Sequence, residues 1–97
     1  MIPYSFHPEA DAELDEAAFS YESRVRGLGK SFVSEVDRTI SFIRQFPDAG
    51  SPSGRAARRA LVDRFPYSIV YRHTADAVVI VAVAHGRRRP GYWRRRK

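Results

Sequence analysis

Apolar residues recur along the chain in two rhythms, and the places where the rhythm changes divide it into elements. Ile2, Tyr4 and Phe6 alternate with other positions and are followed by His7-Pro8, which predicts a short opening strand ended by the proline. Pro8 suits the first turn of a helix, where a missing N–H costs nothing. From Glu9 the spacing widens: Ala10, Leu14, Ala17, Tyr21 and Val25 recur every three or four residues and mark one helical face. Arg26-Gly27-Leu28-Gly29 breaks that helix. Leu28, Phe32, Val36, Ile40 and Ile43 then mark a second amphipathic helix that stops before Pro47. So short a break predicts an antiparallel helical hairpin.

Asp48 to Gly54 has the composition of a loop, being almost entirely Asp, Gly, Ser and Pro. Three β-like stretches follow, Ala60 to Phe65, Tyr67 to His73 and Ala77 to Ala84, with Thr74-Ala75-Asp76 turning between the last two. The third stretch is apolar at every position, as expected of a central strand covered on both faces. The predicted order is β-α-α-β-β-β. This gives an α+β fold, a helical hairpin packed on one face of a mainly antiparallel four-stranded sheet, with a short basic C-terminal tail. The opposite face, near the strand ends, then carries Arg59, Arg72, His85 and the arginines after Gly86, and is the default functional surface.

Length bounds this picture to a single domain over residues 1–97. The absence of cysteine excludes disulfide frameworks, thiolate metal sites and cysteine nucleophiles. His7, His73 and His85 lie in three segments without metal-ligand spacing, and no phosphate loop, dinucleotide fingerprint or nucleophile elbow occurs. Neither a metal nor an organic cofactor is therefore expected. The N-terminal residues lack a secretion-signal pattern, and the longest apolar run, Ala77 to Ala84, is too short to span a bilayer, so a cytoplasmic protein without a membrane partner is expected.

Charge adds the sharpest asymmetry. Residues 1–50 hold 5 basic and 9 acidic side chains, a balance of −4, whereas residues 51–97 hold 12 basic and 2 acidic, a balance of +10. The basic half is almost wholly arginine, whose fork of donors suits phosphates and carboxylates. Nucleic acid, an acidic protein segment and a merely solvated surface are all compatible with it. The acids Glu9, Asp11, Glu13, Asp15 and Glu16 crowd the start of the first helix, where the helix dipole accounts for them.

Two constellations carry possible chemistry. His85 ends the last strand beside Arg87, Arg88 and Arg89, where an imidazole could move protons and guanidiniums could hold charge during cleavage of RNA by its own 2′-hydroxyl. It could equally cap the strand end. Tyr92 and Trp93 lie between Arg87-Arg88-Arg89 and Arg94-Arg95-Arg96, an arrangement suited to stacking bases while gripping phosphates. The same rings could instead fold back onto the sheet.

Taken in order, His7-Pro8-Glu9-Ala10, Leu28-Gly29 before Phe32, Phe46-Pro47, Arg58-Arg59-Ala60-Leu61-Val62, Phe65-Pro66-Tyr67-Ser68-Ile69-Val70-Tyr71 and Ala82 to Trp93 resemble the RelE/ParE family of bacterial type II toxins across essentially the whole chain. The resemblance implies a growth-inhibiting toxin neutralised by a cognate antitoxin whose acidic, partly disordered end wraps it. That partner fits the arginine-rich half and the groove of the hairpin, with Leu14, Tyr21, Phe32, Arg64 and Arg72 as contact residues.

The family divides by target. ParE-like members inhibit DNA gyrase, and RelE-like members cut messenger RNA in the ribosomal A site. On the nuclease pattern Arg59, His85, Arg87 and Tyr92 are the catalytic candidates. For either target, Arg58, Arg59, Arg72, Arg87, Arg88, Arg89, Trp93, Arg94 and Arg95 are the binding candidates. Ser68 stands where the nucleases often carry a catalytic arginine, and this favours gyrase, with the ribosome-dependent nuclease and a non-toxic nucleic-acid-binding module as alternatives.

Overall fold

In a computed structural model describing all 97 residues, the elements run β1 (Tyr4–Phe6), α1 (Pro8–Arg24), α2 (Leu28–Gln45), β2 (Ser51–Ser53), β3 (Ala57–Leu61), β4 (Tyr67–His73) and β5 (Val78–His85). The strands form one sheet in the order β1-β5-β4-β3-β2. Only the β1–β5 pair is parallel.

The α+β class and the helical hairpin match the expectation, and the sheet has five strands where four were expected. The additional strand, β2, lies within the Asp48–Gly54 loop. It can be so short and contain Pro52 because it is an edge strand, where a missing ladder donor is tolerated. The strand expected over Ala60–Phe65 begins earlier, at Ala57. It alternates sharply, with Ala57 packed on the far side and Ala60 on the helix side, and two arginines between them obscure the period. A turn follows in which Arg64 has a left-handed backbone, φ 68°.

Pro8 opens α1, and the His7 ring accepts a hydrogen bond from the Glu9 N–H at 3.1 Å. Val25 falls one residue past the helix and is exposed, rather than continuing its apolar face. Glu22 of α1 caps α2, accepting the N–H groups of Gly27 at 2.9 Å and Gly29 at 3.0 Å, so the two helices are tied at their junction. The α2 stripe is buried as its spacing predicts, with Phe32, Val36, Ile40 and Ile43 packed on Ile69, Tyr71, Ile80 and Val83 of the sheet.

A second, smaller core lies on the opposite face, where Trp93 packs on Ala57, Val70, Val81 and Ala82. Its geometry depends on a β-bulge. Val70 lies opposite Ala82 while Tyr71 lies opposite Ile80, so Val81 is the extra residue. Val81 and Ala82 consequently both face Trp93, and every later residue of β5 is turned over relative to an uninterrupted strand.

Candidate functional site

The bulge decides where His85 points. Simple alternation from Val79 and Val81 would place it with the arginines on the far face, as the sequence reading expected. Instead its ring lies on the helix side, edge-on to Tyr67 at 5.0 Å between centroids, and its Nδ1 accepts the Arg87 N–H at 3.0 Å. The ring thus caps the strand end through Nδ1.

Tyr92 is equally committed. Its hydroxyl donates to Glu13 Oε2 at 2.7 Å, and the Arg88 guanidinium covers its ring at 3.8 Å. Burial, together with the neighbouring Glu13 carboxylate, pushes the phenol well above its ordinary value, which disfavours a phenolate base. Glu13 is the hub of this cluster. Arg96 donates to both of its oxygens at 2.8 and 2.9 Å, and the Val83 N–H donates at 3.0 Å. Burial works to raise the Glu13 carboxyl, but the hydrogen bonds from Arg96, Tyr92 and Val83 outweigh it and hold the group below the usual glutamate range. Arg96 also donates to the Val81 carbonyl at 3.1 Å. The pair thereby satisfies backbone groups of β5 beyond the end of β1, closing an edge that would otherwise stay open.

Around the buried Trp93 the far face forms two clefts. One, of about 120 Å³, is lined by Arg59, Ser68 and His85 of the sheet and by Arg88, Arg89 and Tyr92 of the tail. The other, of about 580 Å³, is lined by Arg55, Ala57, Arg72 and Arg94. Arg72 donates to the Arg96 carbonyl at 3.0 Å and lies 5.9 Å over the Trp93 ring. The arginines expected on this face do not all meet there. Arg58 points to the helix side and donates to the Gly50 carbonyl at 2.8 Å, and Arg88 turns toward Tyr92 and Glu13. Arg87 and Arg95 are exposed on the tail. Trp93 is only 5% exposed, so its ring packs on the sheet and offers no stacking surface.

A third depression, of about 520 Å³, lies between α2 and the outer edge of β3 and is lined by Glu35, Thr39, Phe42, Ala60 and Leu61 among others. Phe42 is 47% and Leu61 77% exposed, and β2 ends opposite Arg59, leaving the outer edge of Ala60–Leu61 without a strand. Glu35 is buried here. Its Oε2 accepts from Arg64 at 3.3 Å, while its Oε1 has no hydrogen-bond partner. None of the expected antitoxin contacts lines this groove, and Arg64 approaches it only through its bond to Glu35. Leu14 and Tyr21 are half-buried against the main core, Arg72 is on the far face, and Phe32 is fully enclosed in an aromatic cluster with Tyr21, Phe65 and Tyr67, leaving it no surface to offer. A helix position that is apolar both in type and in spacing is a core position, and Phe32 is one. Phe42 lies beside that stripe rather than on it, and an aromatic residue displaced from the buried stripe is the signal that could have located the groove.

The site thus combines a helical hairpin on one face of the sheet, an apolar groove at its side and arginine clefts behind it. A family model described as the ParE toxin of the type II toxin-antitoxin system, parDE, matches residues 4–90, and the chain belongs to this family. Among solved structures, one described as the chromosomal ParDE TA system from P. aeruginosa superposes with a TM-score of 0.75. It shares 21% sequence identity, covers 88% of this chain and 96% of its own, and shows the common fold. No curated protein matches the chain.

Proposed function

We propose that this ParE-family toxin arrests growth by inhibiting DNA gyrase and is neutralised by an antitoxin segment seated between α2 and β3. Ser68, standing in the first cleft where the related nucleases often carry a catalytic arginine, carries the choice of target. His85 and Tyr92 line the same cleft, but the Arg87 N–H engages His85 Nδ1 and Glu13 engages the Tyr92 hydroxyl, while Ser68 is itself buried. Cutting RNA through its own 2′-hydroxyl needs a base and an acid as well as cations; the cations are in place, while the Tyr92 hydroxyl and the His85 Nδ1 are already engaged. An antitoxin segment in extended form fits the groove. Its backbone can continue the sheet at Ala60–Leu61, its apolar side chains can cover Phe42 and Leu61, and a donor can meet Glu35 Oε1.

Purified toxin added to gyrase and relaxed plasmid tests the target directly. The expected result is loss of supercoiling with no cleavage of ribosome-bound messenger RNA; supercoiling untouched at large toxin excess overturns the reading. Ribosome-dependent cleavage is the second reading, favoured by Arg59 and His85 in the cleft and by Arg87 between the cleft-lining Gly86 and Arg88. It requires that Arg87→Ala combined with His85→Ala abolish RNA cutting.

A further inference from the structure

Arginines of this protein divide into those that have a carboxylate and those that do not, and the division follows the fold. Arg38, Arg64, Arg88 and Arg96 each lie within 4.0 Å of Glu35 or Glu13. Arg55, Arg59, Arg72, Arg89 and Arg94, which line the two clefts beside Trp93, have no carboxylate at that distance; Arg88 also lines the first cleft but reaches Glu13 at 4.0 Å, and neither cleft contains an acid among its lining residues. The backbone holds this arrangement in place. Gly91 has φ 76°, the left-handed region that favours glycine, and its bare Cα faces the Arg94 guanidinium.

Such a surface is a poor centre for a protein interface, whose buried core is depleted of charge and rich in apolar groups. No exposed large apolar side chain lines either cleft. It has what a nucleic-acid interface requires, a polar and strongly positive contact area. The aromatic residues decide the kind of nucleic acid. Single strands are held largely by stacking on free rings, and here Trp93 is buried while the Tyr92 ring is covered by Arg88. Phosphates can be gripped, but bases have nothing to stack on.

We infer that this face holds the phosphate backbone of duplex DNA through Arg55, Arg59, Arg72, Arg89 and Arg94, without reading base sequence. The inference rests on the proposed action at gyrase for the choice of DNA over duplex RNA, and it assigns the toxin a contact with gyrase's substrate as well as with the enzyme.

The test uses the full chain, made by cell-free synthesis, titrated into a fluorescently labelled DNA duplex of roughly 20 base pairs with no gyrase present, over salt from about 50 to 200 mM. If four of the five arginines reach phosphates, binding weakens about 150-fold over this range, following a slope of about −0.9 per phosphate. Arg59→Gln combined with Arg94→Gln reduces the loss to about 10-fold by the same slope. Arg26→Gln combined with Lys30→Gln removes the same charge from the exposed junction of the helices and leaves the slope unchanged. Absence of binding at the lowest salt, equal slope losses in the two double variants, tighter binding of single strands or of an RNA duplex, or competition by poly-glutamate at equal charge each overturns the inference. The supercoiling assay separates the two claims. Gyrase inhibited without DNA binding removes the DNA contact alone, and DNA binding without inhibition removes the gyrase target alone.

Discussion

Replacing Glu13 by alanine tests whether its cluster holds the tail to the sheet. The substitution removes the acceptor for Tyr92, for two donors of Arg96 and for the Val83 N–H. Both charged side chains are well enclosed, with Glu13 15% and Arg96 10% exposed, so water cannot readily replace what is lost. Removing one member of such a pair strands the other, at a cost of about 3 kcal/mol, the lower end for buried pairs. Against a domain stability of roughly 5–15 kcal/mol that is a large fraction. In urea unfolding the midpoint moves down by about 2 M, taking a slope of about 1.5 kcal/mol per molar, and the fluorescence of Trp93, the only tryptophan, reports release of the tail. A double-mutant cycle with Arg96→Leu isolates the pair, with an expected coupling of about 2 kcal/mol. A coupling below about 0.5 kcal/mol, or an unmoved midpoint, refutes the reasoning.

The same pair sets an acid limit. Because the folded protein holds the Glu13 carboxyl below its ordinary value of 4.5, the stabilisation it gives is complete above that pH and is lost as pH falls through the folded value, so the stability gap between wild type and Glu13→Gln narrows as pH falls below 4.5. Gly29→Ala, which at an exposed helix position would stabilise, here drives a Cβ to 2.5 Å from the Ala18 carbonyl oxygen and destabilises by about 2 kcal/mol, lowering the melting temperature by about 10 °C. Phe42→Glu or Leu61→Asp weakens capture by the antitoxin by at least about tenfold while leaving growth arrest intact, as a titration of rescue against toxin dose measures. His85→Ala leaves growth arrest unchanged, because the ring caps a strand end.

Regular elements were readable wherever one face is buried. Phe32, Val36, Ile40 and Ile43 announce α2 by spacing and are all enclosed. The β4–β5 hairpin is equally clear, because both strands are rich in β-branched residues. β3 was misplaced for a physical reason: Arg58 and Arg59 are adjacent, yet one reaches back to the Gly50 carbonyl and the other lines the far cleft, so residue type carries no information about side. β2 has no apolar signal because it lies at the sheet edge. Among the site residues, the arginine face was legible from charge alone, whereas the fates of His85 and Tyr92 depend on a one-residue bulge and on a carboxylate 79 positions away from Tyr92. Glu13 itself was hidden among neighbouring acids that the helix dipole explains just as well.

The bulge in β5 has a wider meaning for how the strand finds its frame. Val78-Val79-Ile80-Val81-Ala82-Val83-Ala84 is apolar throughout, so hydrophobic pattern alone cannot reject a slip that exchanges its two faces. Glu13 and Arg96 supply the missing discrimination. One grips the Val83 N–H and the other the Val81 carbonyl, and both groups point to the open edge together because Val81 is bulged. Side chains from the first helix and the last residues of the chain thus act as a gauge laid against the backbone. A strand shifted by one residue would stay apolar on both faces but would lose both of those contacts.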